Sequence, residues 1–185
     1  MPEPVAALLI IDLQEGSIAA VPDSARLLDR AGELLAKARA AGALVVHVQN
    51  DGAPGTADEP GGPGWDLHFT VEPGEHEVAI RKLHDDSFAG TPLIELLATH
   101  DVQALAICGL MSEMCVSATA RTALARGLRV VLPHDAHTTT GIPATPTAPA
   151  IPAETVARVA EWALGDGLEL VPHADEIEFA TLPKS

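Results

Sequence analysis

Three side chains far apart in the chain have types that together could break an acyl bond: the carboxylate of Asp12, the ammonium of Lys82 and the thiol of Cys115. A thiolate is a strong nucleophile. A carboxylate can take the thiol proton and later hand it to a leaving group, and an ammonium beside both holds the carboxylate and adds positive potential at the sulfur. Each residue alone also has an ordinary explanation, since cysteines are often buried, aspartates end strands as turn or cap residues, and lysines cover surfaces. Position separates the two cysteines. Cys108 lies inside an apolar run and reads as core, whereas Cys115 follows that run and the turn Gly109-Leu110-Met111-Ser112, in the first turn of a helical pattern. Because a helix N-terminus carries partial positive charge, the expectation is a favoured thiolate that alkylates below the pH of a free cysteine.

These residues need elements to bring them together, and the hydrophobic pattern supplies them. Val5–Ile11 is a short, continuous apolar run, which reads as a strand buried on both faces and ending at Asp12. Leu27, Leu28, Ala31, Leu34, Leu35 and Ala38 recur at helical spacing over Ser24–Ala41, with Asp23 or Ser24 as N-cap and Gly42 as stop. Further strands are predicted at Leu44–Gln49, Val78–Lys82, Val102–Cys108, Leu128–Leu132 and Leu168–Val171. Helices are predicted from Thr91-Pro92 to about His100, from Ser112 or Glu113 to Arg126, and over Pro152–Leu164. Asn50–Gly64 and Pro133–Pro152 are rich in Gly, Pro, Thr or Ala and read as long loops that shape a pocket. Strands alternating with helices, each strand nearly all apolar, imply a parallel sheet within a single domain over residues 1–185. Ligands of such sheets bind beyond the carboxyl ends of the strands. Asp12, Lys82 and Cys115 are therefore expected at neighbouring strand ends.

Composition narrows the partners. A net charge of −15 and a pI near 4.7 argue against a nucleic-acid phosphate backbone and favour a cationic small molecule. No apolar run approaches the roughly 20 residues of a membrane span, and Met1-Pro2-Glu3-Pro4 lacks the basic start of a secretory leader. With two cysteines and no disulfide framework, a reduced, cytoplasmic setting is expected. His134-Asp135-Ala136-His137 and Asp66-Leu67-His68 have the residue types of metal ligands but no tetrahedral set nearby, so no metal is expected. Asp12-Leu13-Gln14-Glu15 stands where a dinucleotide enzyme would carry its glycine-rich turn, so no cofactor is expected either.

The motifs also form a series. Ala7-Leu-Leu-Ile-Ile-Asp12-Leu-Gln14, Arg81-Lys82, Ser87-Phe88-Ala89-Gly90-Thr91, Cys108-Gly109-Leu110-Met111-Ser112-Glu113-Met114-Cys115-Val116 and Asp135-Ala136 resemble the isochorismatase-like cysteine hydrolases, from about residue 6 to 140. The resemblance implies a three-layer α/β/α sandwich with a six-stranded parallel sheet, and a triad of Asp12, Lys82 and Cys115. It also implies a non-proline cis peptide between Leu110 and Met111, aiming the Met111 and Cys115 N–H groups at a developing oxyanion. It implies hydrolysis of amide, amidine-like or vinyl-ether bonds in small molecules, without a cofactor, by a homo-oligomer, a dimer first of all. His47-Val-Gln-Asn50-Asp51-Gly52 lacks the Asp-x-His metal set of the nicotinamidase branch. Gly64-Trp65-Asp66-Leu67-His68-Phe69, Asp85-Asp86-x-Phe88, Leu110-Met-Ser-Glu113-Met-Cys115 and Pro133-His134-Asp135-Ala136-His137 are similar to the streptothricin hydrolases, which open the cyclic amide of a cationic antibiotic.

The substrate pocket expected from this resemblance draws on Gln14, Trp65, Phe88, Glu113 and His137, with Glu113 and Asp85-Asp86 available to pair with a cation. Two alternatives stand beside hydrolysis of a cationic amide or lactam. One is hydrolysis of another small amide, and the other is non-catalytic binding on the same fold. A phosphoacceptor signalling domain fits less well, because no acidic pair follows the first strand.

Overall fold

At the centre of the protein, described here by a computed structural model over residues 2–72 and 74–182, lies the strand β1 (Ala7–Ile11), in which every side chain is buried. Strand geometry sends alternate side chains to opposite faces. Leu8 and Ile10 pack against Leu27, Ala31, Leu34 and Ala38 of α2 (Ser24–Ala41) on one side. Ala7, Leu9 and Ile11 meet Leu93 and Leu97 of α3 (Leu93–Thr99) and Ala120 and Ala123 of α4 (Ser117–Ala125) on the other. Each large apolar side chain so buried contributes roughly 1.5–3 kcal/mol. The strand needs apolar residues throughout because both of its faces are covered.

Around β1 the sheet contains β2 (Leu44–Asn50), β3 (Glu77–Lys82), β4 (Ala104–Gly109), β5 (Arg129–Pro133) and β6 (Leu168–Val171). The order is β3-β2-β1-β4-β5-β6, and every pairing is parallel. This is the expected six-stranded sheet between helical layers. The chain runs outward from β1 to one edge, returns, and runs outward from β4 to the other. A crevice therefore opens at the carboxyl ends of β1 and β4. In register, Ile11 lies beside Gly109, and Asn50 beside Lys82. Beyond Pro133, a short helix α5 (Ala153–Ala163) packs against the segment that follows β4.

Three local features differ from the pattern read in the sequence. Residues Ser112–Val116 form one π-helical turn before α4, with the Val116 N–H donating to the Met111 carbonyl five residues back at 3.2 Å. A helix α1 (Glu15–Ala19), too short to show a hydrophobic period, follows Gln14. The Pro133–Pro152 segment contains a small antiparallel ribbon in which Ile142 and Ile151 exchange both backbone hydrogen bonds at 2.9 Å. No helix among the described residues is long and apolar enough to cross a membrane.

Candidate active site

Asp12 is the first residue past β1 and takes a left-handed conformation, φ 53°, that turns its side chain off the strand line. Lys82 closes β3, with its side chain fully buried. Cys115 sits in the π-helical turn reached from β4 through Gly109, whose φ is 127°. A Cβ at residue 109 would lie 2.0 Å from the Ile11 carbonyl oxygen, so only glycine lets β4 run this close to the end of β1. The Leu110–Met111 peptide that follows is cis.

These elements converge on one ammonium. Lys82 Nζ lies 2.8 Å from Asp12 Oδ2, 3.2 Å from Cys115 Sγ and 3.2 Å from Asn50 Oδ1. Cys115 Sγ accepts from Lys82 and in turn donates to Asp85 Oδ1 at 3.7 Å. The second oxygen of Asp12, Oδ1, is buried and has no hydrogen-bond partner among the described residues. The three predicted chemical residues are thus together, although not on adjacent strands. The end of β2 stands between β3 and β1, and the long lysine stem reaches past it.

The charges shift one another. Burial raises Asp12 above its ordinary range, and Lys82 only partly offsets this. Burial works to lower Lys82, but Asp12 and Cys115 outweigh it and leave the ammonium more firmly protonated than usual. Cys115 is pushed up to about 12 by burial and by the Asp12 carboxylate, with Lys82 opposing. Burial and the Asp12 carboxylate thus outweigh Lys82 and favour the thiol over the expected thiolate. The sulfur needs a base to become a nucleophile, and two carboxylates stand by it, the buried Asp12, held by Lys82, and the exposed Asp85. Cys108 is fully buried and pushed up to about 12 by burial alone, as a core cysteine should be.

The family model described as the isochorismatase domain matches residues 6–160. The chain belongs to the isochorismatase-like hydrolases. Two streptothricin hydrolases of Streptomyces noursei are 57% and 56% identical to it over 98% and 97% of its length. The chain spans 73% of the first relative and 66% of the second. Among solved structures, an isochorismatase from Pseudomonas putida KT2440 superimposes with a TM-score of 0.82 at 28% identity, covering 96% of this chain and 94% of that one. A nicotinamidase from Staphylococcus aureus shares the fold, with a TM-score of 0.75 at 19% identity over 90% and 97% of the two chains.

Within this family fold, several residues expected in the pocket have other work. Gln14 is fully buried, and its amide is spent on Asn50 and Trp65: Nε2 donates to both carbonyls at 3.0 and 2.9 Å, and Oε1 accepts from the Asn50 N–H at 2.8 Å. It staples β1 to the end of β2 and the loop that follows. His137 has internal partners likewise. Its Nδ1 meets Ser112 Oγ at 2.8 Å and its Nε2 meets Glu161 Oε1 at 3.1 Å, so neither ring nitrogen is left over. Glu113 shares a wall with Ser117, Arg121, Ile142 and Val159 of a groove against α5, half a helical turn away from the thiol two residues on. Phe88 is buried in the same core cluster against which Cys115 packs, as a wall rather than an open contact. Trp65 is half-buried, its Nε1 donating to Asp51 Oδ1 at 3.1 Å and its ring lying 4.9 Å beneath the Arg81 guanidinium. Of the acidic pair, Asp86 is tied to the Phe88 N–H and the Thr122 hydroxyl, while Asp85 faces the thiol.

The side chains of β2 and the loop after it that could ligate a metal are otherwise engaged. His47 is buried against Glu77, and Asp51 pairs with Arg81 at 2.7 Å, so both donors already have protein partners. Among the described residues no group of three or more His, Cys, Asp and Glu side chains is set to hold an ion. Among the polar residues that escaped the sequence reading are Asn50 and Glu161. Asn50 could have been found by the strand-end rule that found Asp12. Glu161 could have been found by its spacing, since Val156, Ala157, Ala160 and Glu161 mark one buried helical face.

Proposed function

We propose that this protein is a cysteine-dependent hydrolase that opens an amide or lactam bond in a small cationic molecule through an acyl-enzyme on Cys115. The observation that carries this function is the buried ammonium of Lys82 within hydrogen-bond reach of both a carboxylate and a thiol, with one carboxylate oxygen unpartnered among the described residues. In the proposed cycle Asp12 takes the thiol proton as Sγ attacks the carbonyl carbon. The carbonyl π-bond electrons move to oxygen, where the Met111 and Cys115 N–H groups receive them. Asp12 then protonates the departing nitrogen, and the C–N bond breaks to leave a thioester. Water, deprotonated by Asp12, attacks the thioester, and the sulfur leaves and regains its proton. Lys82 keeps Asp12 in place and balances the charge that develops on sulfur.

Two features support a cationic substrate: Asp85 beside the thiol and the net charge of −15. The two Streptomyces noursei relatives, named as streptothricin hydrolases, make the streptothricin lactam the first compound to try. A screen of streptothricin, linear cationic amides and neutral isosteres against wild type and Cys115→Ala tests the proposal. Wild type should turn over a cationic amide, the variant should not, and intact-mass spectrometry should find the acyl adduct on the Cys115 peptide. An adduct on Cys108, or wild-type turnover by Cys115→Ala, overturns it. We further infer a homodimer acting in a reduced compartment. The exposed Val159 and Trp162 on α5 and the two free cysteines support that assignment, and sedimentation equilibrium of the full chain checks the dimer.

A further inference from the structure

An ammonium has three donors, and all three of Lys82's are committed: one to Asp12, one to Cys115 and the third to Asn50 Oδ1. The first two belong to the proposed chemistry. The third leads out of the site. Asn50 Nδ2 donates to Asp58 Oδ2 at 2.6 Å, which fixes the amide orientation, because a flipped amide would turn its NH2 toward the ammonium and its oxygen toward a carboxylate. Asp58 belongs to the Asn50–Gly64 loop. Its Oδ1 accepts from the Thr56 hydroxyl at 2.7 Å, and its backbone carbonyl accepts from the Gly52 N–H at 2.9 Å. A Cβ at residue 52 would stand 2.1 Å from Asp58 Oδ1 and 2.3 Å from Thr56 Oγ1, so the loop closes over a position that admits no side chain. Burial opposes charge on Asp58, yet Asn50 and Thr56 hold its carboxyl below the ordinary range. A second anion therefore stands one amide away from the lysine.

We propose that Asn50 and Asp58 are positioning residues through which the Asn50–Gly64 loop sets the reactivity of the Cys115 thiol. Asn50 aims the ammonium at Asp12 and sulfur. Asp58 adds negative charge that keeps the proton within the Asp12–Cys115 pair. With the loop closed, Asp12 is the stronger base and the thiol the weaker acid. With Asp58 withdrawn, the ammonium is less compensated and the sulfur ionises at lower pH. The charged groups around this relay are Asp12 after β1, Lys82 and Arg81 on β3, Asp51 paired with Arg81, Asp85 after β3, and Cys115 itself. Of these, Lys82 and Cys115 act directly on Asp12, and Asp58 adds its own charge from across Asn50.

The inference rests on the assignment of Cys115 as nucleophile, but its readout needs no substrate. Iodoacetamide alkylation of the full chain, followed peptide by peptide, measures thiol reactivity at fixed pH. Asp58→Asn keeps the shape and removes the charge, and should alkylate at Cys115 about threefold faster. Asn50→Asp adds a carboxylate beside Lys82 and should alkylate more slowly by a similar factor. Thermal melting of both variants separates this from a merely structural role, which would lower Tm without moving the rates in opposite directions. Unchanged rates, or rates that move in the same direction, overturn the proposal, and if one variant fails to fold, the direction of the other decides. Loss of the hydrolytic assignment would instead appear as turnover by Cys115→Ala, with the alkylation pattern intact.

Discussion

Asp12 is the residue on which the proposed chemistry turns, because the thiol beside it rests protonated. Burial raises its carboxyl above the ordinary 3.8. The working form of a general base is the carboxylate, so a raised value means that this form is lost at higher pH than usual. The acid limb of kcat/KM for wild type should therefore fall above pH 3.8, and a limb at or below that value would show that Asp12 is not the base. Asp12, Lys82 and Cys115 were all legible in the sequence, each being a reactive type at or just past the end of an apolar run. Gln14 and His137 were read as pocket residues, and their internal partners could not be read from the sequence for a physical reason. A polar side chain near a strand end can face a ligand or join two segments, and which it does depends on partners far away in sequence, here Asn50, Trp65, Ser112 and Glu161.

At the scale of elements, the site depends on how closely β4 approaches β1 and how firmly β3 is held. Gly109→Ala should cost more than about 3 kcal/mol, because the new methyl meets the Ile11 carbonyl in a conformation already unfavourable for alanine. Gly127→Ala, with a smaller positive φ of 81° against 127° and open space around it, should cost only about 1 kcal/mol. Urea titrations of the two variants compare them, and equal losses would remove the steric account. β3 is anchored at its other end by Glu77, which accepts from Arg39 of α2 at 2.7 and 2.8 Å and meets His47 of β2 at 2.8 Å. Burial works to raise the Glu77 carboxyl, and Arg39, the Glu72 N–H and His47 outweigh it, holding it at about 2 against an ordinary 4.5. A depressed carboxyl stabilises the fold above its unfolded value and loses that contribution as pH falls. The Tm gap between wild type and Glu77→Gln should therefore be full above pH 4.5 and close toward pH 2. A gap independent of pH would assign Glu77 a packing role alone. The strands and the longer helices were readable because apolar spacing determines them. The π-helical turn and α1 were not, being single turns shaped by the contacts of Met111 and of Gln14 with distant segments.

For the whole molecule, the −15 charge acts on whatever approaches the crevice. If it steers a cationic substrate, kcat/KM should fall as the Debye length shrinks from ~10 Å at 0.1 M salt to ~3 Å at 1 M, while a neutral isostere stays level. Asp85→Asn should raise KM for the cation alone, and Glu113→Gln should leave it unchanged, since Glu113 lies on the far side of its helix. Parallel salt profiles for both substrates would return the charge to a solubility role.

The reversal of strand order between β1 and β4 divides the sheet in the middle of the crevice. Asp12 and Lys82 come from the half built before α3 ends, and Cys115 from the half that begins at β4. If the three act together, hydrolysis is an AND operation on two stretches of one chain. A chain cut at the exposed Asp101, between α3 and β4, would give two fragments that are each silent and that regain turnover only on meeting. The enzyme would then report its own assembly, with the reaction as the signal that both halves of the sheet have met in register.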